Sequence, residues 1–144
     1  MLLVDDEVQF VDTLAQRLRL RELTVESAYD GTQALEAVRR TEPDVVVLDL
    51  KLPGLHGIEV LREIKARNAH IQVIVLTGHG TEADEAEARR LGGFEFLRKP
   101  AEIDLLVAKI REAFAEKVAR VMNAVAFAEG GDLDTARQII KKEE

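Results

Sequence analysis

Apolar and polar positions along this chain follow two rhythms that take turns. Short, nearly unbroken apolar runs lie at 2–4 (Leu-Leu-Val), 45–48 (Val-Val-Val-Leu) and 71–76, with weaker ones at 24–28 and 94–97. Such runs, rich in β-branched residues, suit strands covered on both faces. Between them the apolar residues recur at helical spacing. The stretch 8–20 puts Phe10, Val11, Leu14, Ala15 and Leu18 on one face. A helix over 32–40 is opened by Asp30-Gly31 and stopped before Pro43, and a third over 58–67 turns Ile58, Leu61 and Ile64 inward. A helix over 82–91 has few apolar residues and is ended by Gly92-Gly93. A long helix starts near 103. Strands that alternate with helices predict an α/β fold with a parallel sheet and helices on both faces. Five such units are too few for a closed eight-stranded barrel, so an open doubly wound sheet is expected.

The last helix carries its apolar stripe further than one domain needs. Ile103, Val107, Ile110, Phe114, Val118, Val121 and Val125 share a face. The sequence Glu-Gly-Gly-Asp at 129–132 should break the helix, and 133–144 reads as a short second helix with Asp132 as N-cap. This divides the chain into a domain over 1–116 and a helical extension over 117–144. A stripe of that length should be covered, either by residues 133–140 folding back or by a second copy of the chain in a homodimer.

Composition narrows the classes. The 144 residues fit one domain with a short appendage, and 47% hydrophobic against 33% charged residues allows a core. A net charge of −7 argues against direct nucleic-acid binding or an anionic membrane as partner. Residues 115–144 carry six acidic and five basic residues and lack a basic recognition helix. There is no cysteine, hence no disulfide or thiol chemistry. No run reaches transmembrane length, and Met-Leu-Leu-Val-Asp-Asp-Glu turns acidic too early for a signal peptide. The expectation is a soluble cytoplasmic protein. A strand that opens at Met1 leaves room for a longer natural chain.

The chemistry gathers at strand ends. In open sheets of this kind the ligand site lies outside the carboxyl ends of the strands. There the sequence places Asp5 and Asp6, then Asp49, Thr77 and Lys99. Three carboxylates in one pocket raise each other's pKa unless a cation joins them. Oxygen ligands without His or Cys favour Mg²⁺ or Mn²⁺ over zinc. Lys99 offers a point charge for a phosphate, and Thr77 a hydroxyl donor. A carboxylate beside a metal and a lysine can act as a nucleophile toward phosphorus. Each residue alone has a plainer reading. Asp6 could cap the helix from Val8, Thr77 could simply end a strand, Lys99 could be a solvated charge and Phe96 core. His56, His70 and His79 read as exposed loop residues, too scattered for a metal set.

Taken together, four stretches carry a resemblance: "LLVDDE" (2–7), "VVVLDLKLPGLHGIEVL" (45–61), "VIVLTGHG" (73–80) and "FEFLRKP" (94–100). In order and spacing the chain resembles a receiver domain of a two-component response regulator, over residues 1 to about 116. The resemblance implies a flavodoxin-like sheet of order 2-1-3-4-5. It implies that Asp49 is the phosphoacceptor, and that Asp5, Asp6, Asp49 and the backbone carbonyl of Lys51 are Mg²⁺ ligands. It makes Thr77 and Phe96 a switch pair and Lys99 the phosphate contact before a cis Pro100. It puts Lys51 and His79 at rim positions that influence how long the phosphate lasts. The implied partners are a sensor histidine kinase or phosphotransfer protein, and an unidentified downstream protein. No DNA-binding or catalytic output domain is visible. Two other functions fit the residues less well. A magnesium phosphatase with an Asp nucleophile would carry a second Asp where Lys51 stands. An interaction module without phosphorylation would have no use for Asp49, Asp6, Thr77 and Lys99.

Overall fold

The computed structural model describes residues 1–129, with side chains through 126. Strands and helices alternate from end to end: β1 (Leu2–Val4), α1 (Val8–Arg19), β2 (Glu26–Ala28), α2 (Gly31–Thr41), β3 (Val45–Leu48), α3 (Gly57–Arg67), β4 (Gln72–Thr77), α4 (Glu82–Arg90), β5 (Glu95–Arg98) and α5 (Ile103–Glu129). Among the described residues the strands form one five-stranded sheet of order β2-β1-β3-β4-β5. Every neighbouring pair is parallel. This is the expected α/β doubly wound architecture.

The period-two alternation of each strand divides the core. Leu2 and Val4 of β1, Val46 and Leu48 of β3, and Val73 and Val75 of β4 face α2 and α3, where Ala34, Val38, Val60, Leu61 and Ile64 meet them. The intervening Leu3, Val45, Val47, Ile74 and Leu76 face α1 and α5, against Val11, Leu14, Leu18, Leu106, Val107 and Ile110. A strand apolar at every position therefore has a partner on both sides. β2 is shorter than the expected 24–28. The Thr24 carbonyl accepts from the amino terminus of Met1, and residue-by-residue pairing with β1 begins at Glu26.

Helix ends follow local chemistry. Asp30 caps α2 by accepting from the Gln33 N–H at 2.7 Å. At the end of α4, Gly92 takes φ +93° and the Gly93 N–H reaches the Ala88 carbonyl at 2.8 Å. Asp6 does not cap α1. Glu7 holds that position without a side-chain bond, and it is Asp5 that accepts from the Glu7 N–H at 3.0 Å.

One expectation needs correction. His70 is buried, at 5% exposure, rather than exposed. It bridges α3 and β4, where its N–H donates to Asn68 Oδ1 and its carbonyl accepts from the Gln72 side chain. The apolar stripe on α5 is buried over part of its length. Leu106, Val107, Ile110 and Ala113 enter the core, but Phe114 (47% exposed), Val118 and Val125 face outward. The helix runs back along the sheet to its opposite edge, where Lys117 pairs with Asp44 just before β3. The helix continues unbroken through position 116. The proposed break at 129–132 and the second helix at 133–144, with its fold-back, reach beyond the described residues.

Candidate functional site

Register sets the site. Val4 of β1 lies beside Leu48 of β3, so the residues that follow, Asp5 and Asp49, stand side by side at the carboxyl edge. The Asp49 N–H donates to the Val4 carbonyl at 2.9 Å, which fixes this neighbourhood through the main chain. Asp5 and Asp49 are both about 2% exposed, and Asp6 is exposed. One oxygen from each of the three carboxylates lies within 4.8 Å of the others.

The turn after β3 is pulled in tightly. The Gly57 N–H donates to the Leu50 carbonyl at 2.8 Å. A Cβ on Gly57 would stand 2.5 Å from the Asp49 carbonyl oxygen, so this position accepts no side chain. His56 caps α3 by accepting from the Ile58 N–H at Nδ1, 3.1 Å away. Lys51 is exposed at the rim, and its N–H lies a long 3.5 Å from Asp49 Oδ1.

Lys99 supplies the positive charge. It follows β5, and its N–H donates to the Thr77 carbonyl at 3.0 Å. Its ammonium lies 2.5 Å from Asp5 Oδ2, 3.5 Å from Glu7 and 3.6 Å from Asp49 Oδ2. Burial alone would lower the Lys99 pKa. The Asp5 hydrogen bond and the charges of Asp49, Asp5 and Glu7 outweigh it and raise the pKa. Burial drives the Asp5 pKa up, and the bonds from Lys99 and the Glu7 N–H only partly offset it. The Asp49 charge pushes it further up. A buried carboxylate that is held reluctantly ionised is suited to receiving a cation.

Thr77 is the last residue of β4 and fully buried. It joins the cluster through its main-chain bond to Lys99, while its Oγ1 accepts from the His79 N–H at 3.1 Å. Phe96, in β5, pairs with Val75 and is 7% exposed. Between them sits Gly80, where a Cβ would lie 2.5 Å from the Phe96 ring and 2.9 Å from Thr77 Cγ2. The Lys99–Pro100 peptide bond is cis.

Three neighbours of the site were not singled out from the sequence. Glu7 adds a carboxylate beside Lys99. Phe10, assigned to the core face of the first helix, places its ring centroid 4.3 Å from the Lys99 ammonium. Arg98 donates to the Gly80 carbonyl at 2.5 Å and lies over the Phe96 ring. The signal for Phe10 was its position in the first turn of a helix that opens at the same sheet edge as Asp5.

Known proteins resemble this chain in sequence and fold. The response regulator receiver domain family model matches residues 1–111. The probable transcriptional regulatory protein TcrX of Mycobacterium tuberculosis is 32% identical over 133 residues, which is 92% of this chain and 57% of TcrX. The transcriptional regulatory protein CutR of Streptomyces coelicolor is 37% identical over 77% of this chain and 51% of its own length. The chain thus spans little more than half the length of these curated relatives. Among solved structures, a response regulator receiver domain protein from Clostridium thermocellum superposes with a TM-score of 0.78 at 35% identity, over 82% of this chain and 95% of that one. The receiver domain of NtrX from Brucella abortus gives 0.74 at 34% identity, over 79% and 97%. With its sheet order, its acidic edge and a family match over most of its length, the chain belongs to the response regulator receiver domains of two-component systems.

Proposed function

We propose that Asp49 accepts a phosphoryl group, and that this phosphorylation switches the domain's contacts with other proteins. The observation that carries the proposal is a buried carboxylate at the end of β3 with Asp5, Asp6 and the Lys99 ammonium gathered around it. In the transfer an Asp49 carboxylate oxygen attacks phosphorus. The new O–P bond forms as the bond from phosphorus to the donor's leaving group breaks, and the leaving group departs with the electron pair. Lys99 faces the phosphoryl oxygens, and Thr77, whose Oγ1 accepts from His79, retains its O–H to donate to one of them. The chain catalyses its own phosphorylation and dephosphorylation and no other reaction.

The donor set fits a hard divalent cation. Asp5, Asp6 and Asp49 offer carboxylate oxygens only, which suits Mg²⁺ or Mn²⁺, and the Lys51 main-chain carbonyl is a further candidate ligand. Bound there, the cation neutralises carboxylate charge and polarises the phosphoryl group. The phosphodonor is a sensor histidine kinase, a phosphotransfer protein or a small acyl phosphate. Thr77 and Phe96 carry the change outward, to α4 and to a downstream protein. Residues 1–116 form the receiver and 117–144 an extension that serves an interface, either within the chain or between two copies.

The test is intact-mass spectrometry after incubation with acetyl phosphate and Mg²⁺. The wild type should gain one phosphate and Asp49→Asn none. An equal gain in both would refute the assignment.

A further inference from the structure

We infer that Phe10 is a positioning residue for the phosphorylation site, holding the Lys99 ammonium within reach of the phosphoryl group on Asp49. The inference rests on the role proposed above for Asp49 and Lys99.

Lys99 ends a flexible four-carbon stem and is surrounded on one side by carboxylates, namely Asp5, Glu7 and Asp49. On another side stands the Phe10 ring, 4.3 Å from the ammonium to the centroid. That is within the range at which a cation is drawn to an aromatic face. Phe10 and Lys99 also line one mostly apolar cavity of about 190 Å³, together with Leu14, Leu76, Pro100 and Leu106. The ring is fixed, because it sits in the first turn of α1 and packs against the core on the α1 and α5 side.

These contacts differ in what they do when the site fills. Once Asp5 and Asp49 engage a cation, the ammonium loses its strongest partners and faces a second positive charge. A lysine held by carboxylates alone would then be free to swing into solvent. Phe10 is uncharged and competes neither for the cation nor for phosphate. It is the contact that persists through the change and keeps the ammonium at the pocket. Glu7 is well exposed, so its hold on Lys99 is screened by water and salt.

Two variants test this. Phe10→Leu keeps an apolar side chain and removes the aromatic face, whereas Phe10→Tyr keeps the face. Both are first checked for a cooperative thermal transition. In the wild type the ε-methylene resonances of Lys99 should show the upfield shift of a proton above a ring, and should keep it with beryllofluoride and Mg²⁺ bound. Phe10→Leu should lose that shift. It should also lower the rate of phosphorylation by acetyl phosphate roughly 2- to 30-fold, the range open to a cation–π contact. Phe10→Tyr should restore both. If Phe10→Leu is phosphorylated at the wild-type rate, Phe10 merely fills space and the inference fails. It fails equally if Phe10→Tyr is as slow as Phe10→Leu. A wild type that takes no phosphate at all brings down the role of Asp49 itself, a different result from an undisturbed Phe10→Leu.

Discussion

Helices α3 and α4 flank the same sheet, yet they are attached to it by different means. α3 buries Ile58, Val60, Leu61 and Ile64, and its first residue, Gly57, presses against the Asp49 main chain. Among the described residues of α4, Ala88 alone is buried. Its ties to neighbouring elements include solvent-accessible ion pairs, Glu87 with Arg62 of α3 and Arg89 with Glu95 of β5, while a capping box between Thr81 and Asp84 closes its own first turn. Exposed pairs are screened by water and salt and contribute little, whereas one buried aliphatic side chain contributes about 1.5–3 kcal/mol. The two helices also serve different ends of the site. α3 follows the turn that carries Asp49, and α4 follows the loop after Thr77. Asp49 thus stands on a firm support, and the segment next to Thr77 and Phe96 is the one that moves at least cost.

The contrast can be broken hardest through the core. Leu61→Ala should lower global stability by about 2–5 kcal/mol in urea unfolding, because it opens a cavity under the sheet. A loss below about 1 kcal/mol would mean that α3 is no firmer than α4. Next in size is Gly80→Ala. Its new methyl collides with Phe96 and Thr77, and overpacking of this kind costs about 1–3 kcal/mol unless the ring moves. The variant should expose Phe96 and alter the amide shifts of 80–98 that beryllofluoride produces in the wild type. Unchanged shifts would separate Gly80 from the switch.

Thr81→Ala should cost about 1 kcal/mol and act locally. Amide exchange should quicken over 82–90 and stay unchanged over 57–67, and uniform quickening would erase the distinction between the helices. The smallest effect concerns the carboxyl edge. The Asp5 pKa is raised in the folded protein, so the folded state holds its proton to higher pH than the unfolded chain does. The stability tied to that proton is present in acid and is lost as pH rises through the folded pKa. Without metal, Asp5→Asn should therefore gain stability relative to the wild type between acid and neutral pH. Mg²⁺ should cancel the gain. A difference that does not change with pH would contradict the shift.

The strands and the site were legible for one reason. A parallel strand buried on both faces must be apolar at every position, so a carboxylate directly after Leu48 or Val4 stands out. α4 was legible as a weak helix from its lack of apolar residues. The sequence misled where burial depends on what lies beneath an element. Val118 and Val125 fit the same helical stripe as Val107, but only Val107 of the three is buried. His70 reads like any loop histidine until α3 and β4 close around it. The Phe10–Lys99 contact joins residues far apart in the chain; the sequence places Phe10 near the carboxyl edge of the sheet but does not pair it with Lys99.

The central claim is that Asp49, and no other residue, receives the phosphoryl group. Borohydride reduces an acyl phosphate to an alcohol and leaves a free carboxylate untouched. The wild-type protein, treated with acetyl phosphate and Mg²⁺ and then reduced, should yield a peptide with homoserine in place of Asp49. The same peptide from protein without phosphodonor should be unchanged. Reduction at Asp5 or Asp6, or no reduced residue in a protein that has gained phosphate, would contradict the account.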